Sequence, residues 1–213
     1  MDLIINYSGV IEEIGSGVNL LTVGQEVHGQ FRSPNFNGTY AEYIVIDQKN
    51  DVIIPKPSCI SHAEAAALGT AGATAYQGLI NDCKIKQGQR ILIIGAAGGI
   101  GSYSVLLSKA LGVNVTGICS TKNIDVVNKY GADKVIDYKS HNFMEELNNC
   151  EKFDCILDTV GGDEYYFNFE PLLKSGGIYA TAVLGPVVHG FGDNFSLPAI
   201  IFAMLKSKWR NVW

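Results

Sequence analysis

One run near the middle of the chain restricts its fold more than any other: Ile91-Leu92-Ile93-Ile94-Gly95-Ala96-Ala97-Gly98-Gly99-Ile100-Gly101-Ser102. It reads as an apolar strand, a turn of small residues and the start of a helix. A dinucleotide pyrophosphate requires such a turn. Small residues let the phosphates approach the backbone, and the helix N–H groups and dipole meet their charge. The spacing is Ala-x-Gly-x-x-Gly, from Ala96 through Gly98 to Gly101, with alanine in place of the usual first glycine. A plain tight turn is the competing reading. A βαβ unit around the run favours the dinucleotide.

From Lys86 onward the chain alternates strands and helices, the pattern of a parallel sheet with crossover helices. Strands are expected at 90–94, 114–118, 134–136, 153–157 and 177–182, with helices at 100–111, 123–130, 142–148 and 163–173. Before Pro57 the grammar is different. Short glycine-punctuated strands are expected around 9–15, 23–27 and 38–46, the last alternating as a half-buried strand does. Pro55 and Pro57 then break the ladder, and Ser61-His62-Ala63-Glu64 is a capping box opening an Ala-rich helix. A second apolar segment runs from about Thr70 to Ile80. The fold class expected is α/β, a doubly wound parallel sheet over 61–213 preceded by a β-rich domain over 1–60. Beyond Gly185 the pattern fades into a loop, an apolar segment and the tail Trp209-Arg210-Asn211-Val212-Trp213.

Sites for NAD place an Asp or Glu about 20 residues after the glycines, on the ribose 2′-hydroxyl. Here Cys119-Ser120-Thr121-Lys122-Asn123 follows the second strand and holds no carboxylate. Hydroxyls and an ammonium suit a 2′-phosphate, which favours NADPH; Ser120 or Thr121 also reads as a cap for the next helix. The net charge of −5 argues against a nucleic-acid partner, and no apolar run approaches the ~20 residues of a membrane span. The five cysteines are odd in number and widely spaced, so free thiols in a reducing compartment are expected. His28, His62, His141 and His189 show no metal-ligand spacing.

With Gly9-Val10-Ile11-Glu12-Glu13-Ile14-Gly15, Val23-Gly24-Gln25-Glu26-Val27-His28-Gly29, Gly131-Ala132-Asp133-Lys134-Val135-Ile136-Asp137-Tyr138 and Leu157-Asp158-Thr159-Val160-Gly161-Gly162, the chain resembles the medium-chain dehydrogenase/reductase superfamily. The branch it resembles is that of the zinc-free quinone oxidoreductases. The resemblance implies a Rossmann-type domain beside part of a GroES-like β-barrel. It implies NADPH contacts at Ala97, Gly98, Gly99, Ile100 and Gly101 for the pyrophosphate, at Ser120, Lys122 and Tyr138 for the 2′-phosphate, and at Thr159 on the nicotinamide side.

Where zinc-dependent members carry Gly-His-Glu, this chain has Asn6-Tyr7-Ser8-Gly9, so no metal is expected. The implied activity is NADPH-dependent reduction of quinones or α,β-unsaturated carbonyls. Enoyl-thioester reduction and non-catalytic NADPH binding are the alternatives, and no proton donor is assigned; Tyr40 reads better as a strand residue. The Cys119-Ser120 turn and the Trp-bearing tail are most similar to mitochondrial, reticulon-interacting members. This implies a mitochondrial rather than cytoplasmic location, a small-molecule electron acceptor, a homodimer and a reticulon-type protein partner. It also implies a fragment that starts inside the first domain and stops before the second closes.

Overall fold

The computed structural model describes residues 5–31 and 38–182. The apolar run forms β4 (Arg90–Ile94), flanked by β5 (Asn114–Cys119) and β7 (Phe153–Asp158), with β6 (Lys134–Asp137) and β8 (Leu173–Thr181) at the edges. These make one parallel sheet in the order β6-β5-β4-β7-β8. Successive side chains of a strand point to opposite faces. Ile91 and Ile93 join Val105, Val115, Val127 and Leu157 on one face, while Leu92 and Ile94 join Ile136, Leu147, Phe153 and Phe169 on the other. A strand buried on both sides needs no polar alternation, which is why β4 is uninterruptedly apolar. Helices α3 (Gly99–Ala110) and α4 (Ile124–Lys129) supply Val105 and Val127 to the first face. α5 (Phe143–Asn148) and α6 (Asp163–Phe169) supply Leu147 and Phe169 to the second. The sheet is doubly wound, and the chain reverses its direction of travel at the β4/β7 pair.

A separate antiparallel sheet holds β1 (Asn6–Val10), β2 (Glu26–Gln30) and β3 (Val52–Pro55) in that order. The capping box forms: Ser61 Oγ accepts from the Glu64 N–H at 3.2 Å, and Glu64 accepts from the Ser61 N–H at 2.8 Å. The helix it opens is one continuous rod to Asp82. Its α-helical parts, α1 (His62–Ala67) and α2 (Ala73–Tyr76), alternate with wider π-helical turns at Leu68–Gly72 and Gln77–Asp82. Polar contacts fasten α1 to the antiparallel sheet. Ser8 Oγ lies 2.8 Å from His62 Nδ1, His62 Nε2 lies 3.1 Å from Glu26, and Glu26 pairs with Lys56 at 3.2 Å. The Lys56 ammonium, and then His62, hold the Glu26 carboxyl below its usual range.

Several expectations are corrected. The stretch 38–46 forms no strand; Tyr40, Tyr43 and Val45 are largely exposed. Its alternation lacks a neighbouring strand among the described residues, and β-propensity has force only where a pleated surface is paired and packed. The first two strands lie at Asn6–Val10 and Glu26–Gln30 instead of 9–15 and 23–27. Pro55 ends a strand rather than breaking one, because among the described residues β3 pairs only with β2 and an edge tolerates a residue without an N–H. The final strand starts at Leu173, with an irregularity that sets Phe153 opposite Leu173 and Cys155 opposite Ile178. Helix α6 gives way to a 3-10 turn at Glu170–Leu172, which carries Pro171. Cys83 and Cys155 are joined in a disulfide rather than free, since the end of the long helix packs on β7 and brings their Cα atoms to 6.1 Å. The tail from 183, with His189, lies outside the described residues.

Phe153 is fully buried and closes the end of the second core face. Phe153→Ala should lower the unfolding free energy by about 3–5 kcal/mol, read as a shift of the urea midpoint.

Candidate functional site

Ile94 and Asp158 are register partners at the carboxyl ends of β4 and β7, where the sheet changes direction. Open α/β sheets bind ligands at that point, because loops leaving the two strands in opposite senses leave a crevice. After Ile94 the backbone turns at Gly95, with φ at 79°, and the Gly98 N–H bonds back to the Gly95 carbonyl at 2.9 Å. A Cβ on Gly95 would stand 2.5 Å from Thr159 Oγ1. Gly98 then caps α3 with no side-chain hydrogen bond, so among the described residues no side chain at the cap satisfies the first-turn N–H groups of Gly99, Ile100 and Gly101. At Gly101 a Cβ would lie 2.8 Å from Ala96 Cα and closer still to the Gly95 carbonyl oxygen, so only glycine lets α3 start here. These features fit a pyrophosphate cradle.

Thr159 leaves the end of β7. Its N–H and its Oγ1 both donate to the Ile94 carbonyl, at 3.1 and 2.7 Å, which knots the two strand ends together. Beneath it Asp158 is buried; one carboxylate oxygen accepts the N–H groups of Val160 and Gly161 at 2.9 Å each, and the other accepts the Tyr179 hydroxyl at 2.9 Å. Burial, then the Asp158 charge, raise the Tyr179 phenol far above its ordinary range, so it remains a donor. Asp158 had no assigned role in the sequence; its position just before Thr159 was the available signal.

Facing the turn stands the antiparallel sheet. An open cleft of about 300 Å³ is lined by Asn6, Thr70 and Ala71 on one side and by Gly98, Gly99, Ile100 and Thr159 on the other. Thr70 and Ala71 lie on the π-helical turn Leu68–Gly72, a widening that recurs at functional sites. Asn6 and Thr70 were not singled out as site residues, since nothing in sequence links positions so far apart.

The remaining expected residues gather at the ends of β5 and β6. Ser120 is buried and its Oγ takes a hydrogen bond from Asn123 Nδ2 at 3.2 Å; the expected helix-capping bond is not made. Lys122 is exposed on the following 3-10 turn. Tyr138 is half exposed, and its N–H bonds the Cys119 carbonyl at 3.1 Å, which sets it beside the Ser120 turn. Although the turn itself has no carboxylate, the neighbouring strand brings one. Asp137, opposite Cys119, accepts the Thr121 hydroxyl at 2.5 Å and the Lys139 N–H at 2.9 Å. Those bonds, the Thr121 one first, hold its carboxyl below the usual range. Among the described residues no group of three or more His, Cys, Asp or Glu could hold a metal ion, and no helix is long and apolar enough to cross a membrane.

Residues 99–198 match the family described as zinc-binding dehydrogenase. The chain is 34% identical over 190 residues to the trans-enoyl reductase pgmF of Aspergillus terreus, covering 89% of this chain and 51% of that protein. It is 37% identical over 184 residues to the mitochondrial NAD(P)H oxidoreductase RTN4IP1 of Homo sapiens, covering 84% and 46%. The quinone oxidoreductase of Coxiella burnetii superposes with a TM-score of 0.72 at 34% identity, over 83% of this chain and 54% of that one. The chain belongs to the medium-chain dehydrogenase/reductase superfamily. Its parallel sheet is the Rossmann part of that superfamily's architecture, and the antiparallel sheet stands beside it as the GroES-like part does. The chain spans about half the length of the superfamily relatives it matches.

Gly101→Val should force α3 off the Gly95 carbonyl. The expected result is a stability loss of about 1–3 kcal/mol by thermal melting and binding of a nicotinamide dinucleotide weakened about tenfold or more by fluorescence titration, equivalent to about 1.4 kcal/mol.

Proposed function

We propose that this chain carries the cofactor site of an NADPH-dependent, zinc-independent reductase of quinones or α,β-unsaturated carbonyls. One observation carries the reading: the cleft at the β4/β7 switch point has uncapped helix N–H groups on one wall and, on the other, Asn6 of the second sheet with Thr70 of the π-helical turn. Ala97, Gly98, Gly99, Ile100 and Gly101 would hold the pyrophosphate. Ser120, Lys122 and Tyr138 would hold the adenosine 2′-phosphate, and Thr159 would line the nicotinamide side. Asp137 stays ionised, but both of its oxygens are engaged by hydrogen bonds from Thr121 and Lys139. Residues 1–60 would belong to the substrate domain and 61–213 to the cofactor domain.

The nicotinamide, when bound, supplies a hydride. The chain's own contribution is orientation and charge. The α3 N–H groups and dipole fix the anionic end of the cofactor. Thr159, its proton committed to the Ile94 carbonyl, presents lone pairs to the cleft. The two walls would hold the acceptor between them, in a cleft that stays open to solvent. Water is the proton source for the reduced acceptor.

Reduction of an enoyl thioester is the second reading, supported by similarity to a protein named as a trans-enoyl reductase. Similarity to RTN4IP1 supports a mitochondrial location. A homodimer and a reticulon-type partner accompany that reading as proposals.

Phenanthrenequinone should support NADPH oxidation by the protein, followed at the cofactor's absorbance, with NADH much weaker. Ser120→Ala should weaken NADPH by about tenfold or more while leaving NADH nearly unchanged, since a hydrogen bond to a charged group contributes ~1.5–3 kcal/mol. Equal use of both cofactors would overturn the 2′-phosphate assignment, and a medium-chain enoyl thioester turned over faster than the quinone would favour the second reading.

A further inference from the structure

We infer that Asn6 is the hydrogen-bond donor that receives the carbonyl oxygen of the electron acceptor. The inference rests on the reductase reading above and assigns the substrate side of the same cleft. Asn6 is the first residue of β1 and lines the cleft opposite Gly98–Ile100 and Thr159. Its amide orientation is fixed by chemistry. The Thr70 backbone N–H, which can only donate, lies 3.1 Å from Asn6 Oδ1, so the atom facing it is the carbonyl oxygen. Thr70 Oγ1 is 2.9 Å from the same oxygen. Gly69 leaves room for this contact; a Cβ there would stand 2.8 Å from Asn6 Cγ and closer still to Oδ1. With Oδ1 turned to the π-helical turn, the Nδ2 amino group is on the other side of the amide. Among the described residues it has no hydrogen-bond partner.

Elimination points the same way. Three side chains with hydrogen-bonding groups line the cleft: Asn6, Thr70 and Thr159. The Thr159 proton goes to the Ile94 carbonyl at 2.7 Å. The single Thr70 hydroxyl proton goes to Asn6 Oδ1 at 2.9 Å or to Gln30 Oε1 at 3.3 Å. Asn6 Nδ2 is therefore the side-chain donor left to a ligand, and it carries two N–H bonds. When a quinone or enone takes up a hydride at carbon, the displaced π pair moves to its oxygen, which water then protonates. A fixed donor at that oxygen stabilises the charge as it develops, and loss of one such donor costs about 10²–10³ in kcat.

Asn6→Asp is the discriminating variant. It keeps the size of the side chain and an acceptor for Thr70, but it replaces the two N–H bonds with a charged oxygen. The expected result is an NADPH affinity within about twofold of wild type and a kcat with phenanthrenequinone lower by about a hundredfold. A second readout needs no turnover. In the presence of NADP⁺ at mildly alkaline pH, p-nitrophenolate, an oxyanion that accepts no hydride, should bind wild type and bind Asn6→Asp at least about tenfold more weakly. Asn6→Ala should change both readouts in the same direction, with its folding checked by melting temperature.

Unchanged turnover and phenolate affinity in Asn6→Asp would overturn the assignment, as would a parallel loss of NADPH affinity, which would make Asn6 a cofactor contact. If wild type binds NADPH but reduces neither quinone nor enone, the reductase reading fails. The phenolate titration then decides Asn6 alone: discrimination between wild type and Asn6→Asp upholds the donor, and equal binding or none overturns it.

Discussion

Helix α3 begins so close to the end of β4 that its third residue rests against the Gly95 carbonyl, a contact that any side chain at Gly101 would prevent. The rest of the site follows from this approach. Because α3 starts there, its uncapped N–H groups lie directly over the ends of β4 and β7. The Gly95 turn must be tight to allow it, and Thr159 fits against that turn while bonding Ile94. The loop after β7 is in turn held by Asp158, whose buried carboxylate is satisfied by two backbone N–H groups and the Tyr179 hydroxyl. A buried carboxylate is tolerable only with such partners, so the loop that follows Thr159 is tied to a fully hydrogen-bonded carboxylate.

The second wall has a different origin. Three antiparallel strands and the start of a long helix are joined by Ser8, His62, Glu26 and Lys56, all of them partly exposed except the Lys56 side chain. Exposed ion pairs contribute little to stability. Their value here is geometric: they fix the orientation of α1 on β1, which brings the π-helical turn and Thr70 up to Asn6. The surplus of apolar side chains on this part, Tyr40, Tyr43 and Val45 among them, contrasts with the parallel sheet, where both faces are covered.

Most of the parallel sheet was legible in the sequence because its signals are local. Apolar runs, glycines after strands and the alternation of strand and helix survive without knowledge of neighbours. β4 runs over the expected 90–94, and β5, β6 and β7 each extend by a single residue. The antiparallel part was read less well. Short strands take their identity from pairing, so the alternating 38–46 looked like a strand and is not, while Val52–Pro55 was hidden by its proline and is one. The cluster at the ends of β5 and β6 was only partly visible beforehand. Ser120, Lys122 and Tyr138 do gather at the ends of β5 and β6, but Asp137 reaches Thr121 only because the parallel register sets it opposite Cys119.

By itself the sequence determined the strand–turn–helix unit and the glycines that permit a close approach, because backbone conformation and helix capping depend on residues a few positions apart. The tertiary structure alone decided what faces that unit. Asn6 and Thr70 meet across a separation of 64 positions, and Thr159 reaches Ile94 across 65. No local pattern encodes such contacts; they exist only when two sheets and the helix between them have packed, and hydrogen-bond direction then fixes which atom of each side chain faces its partner.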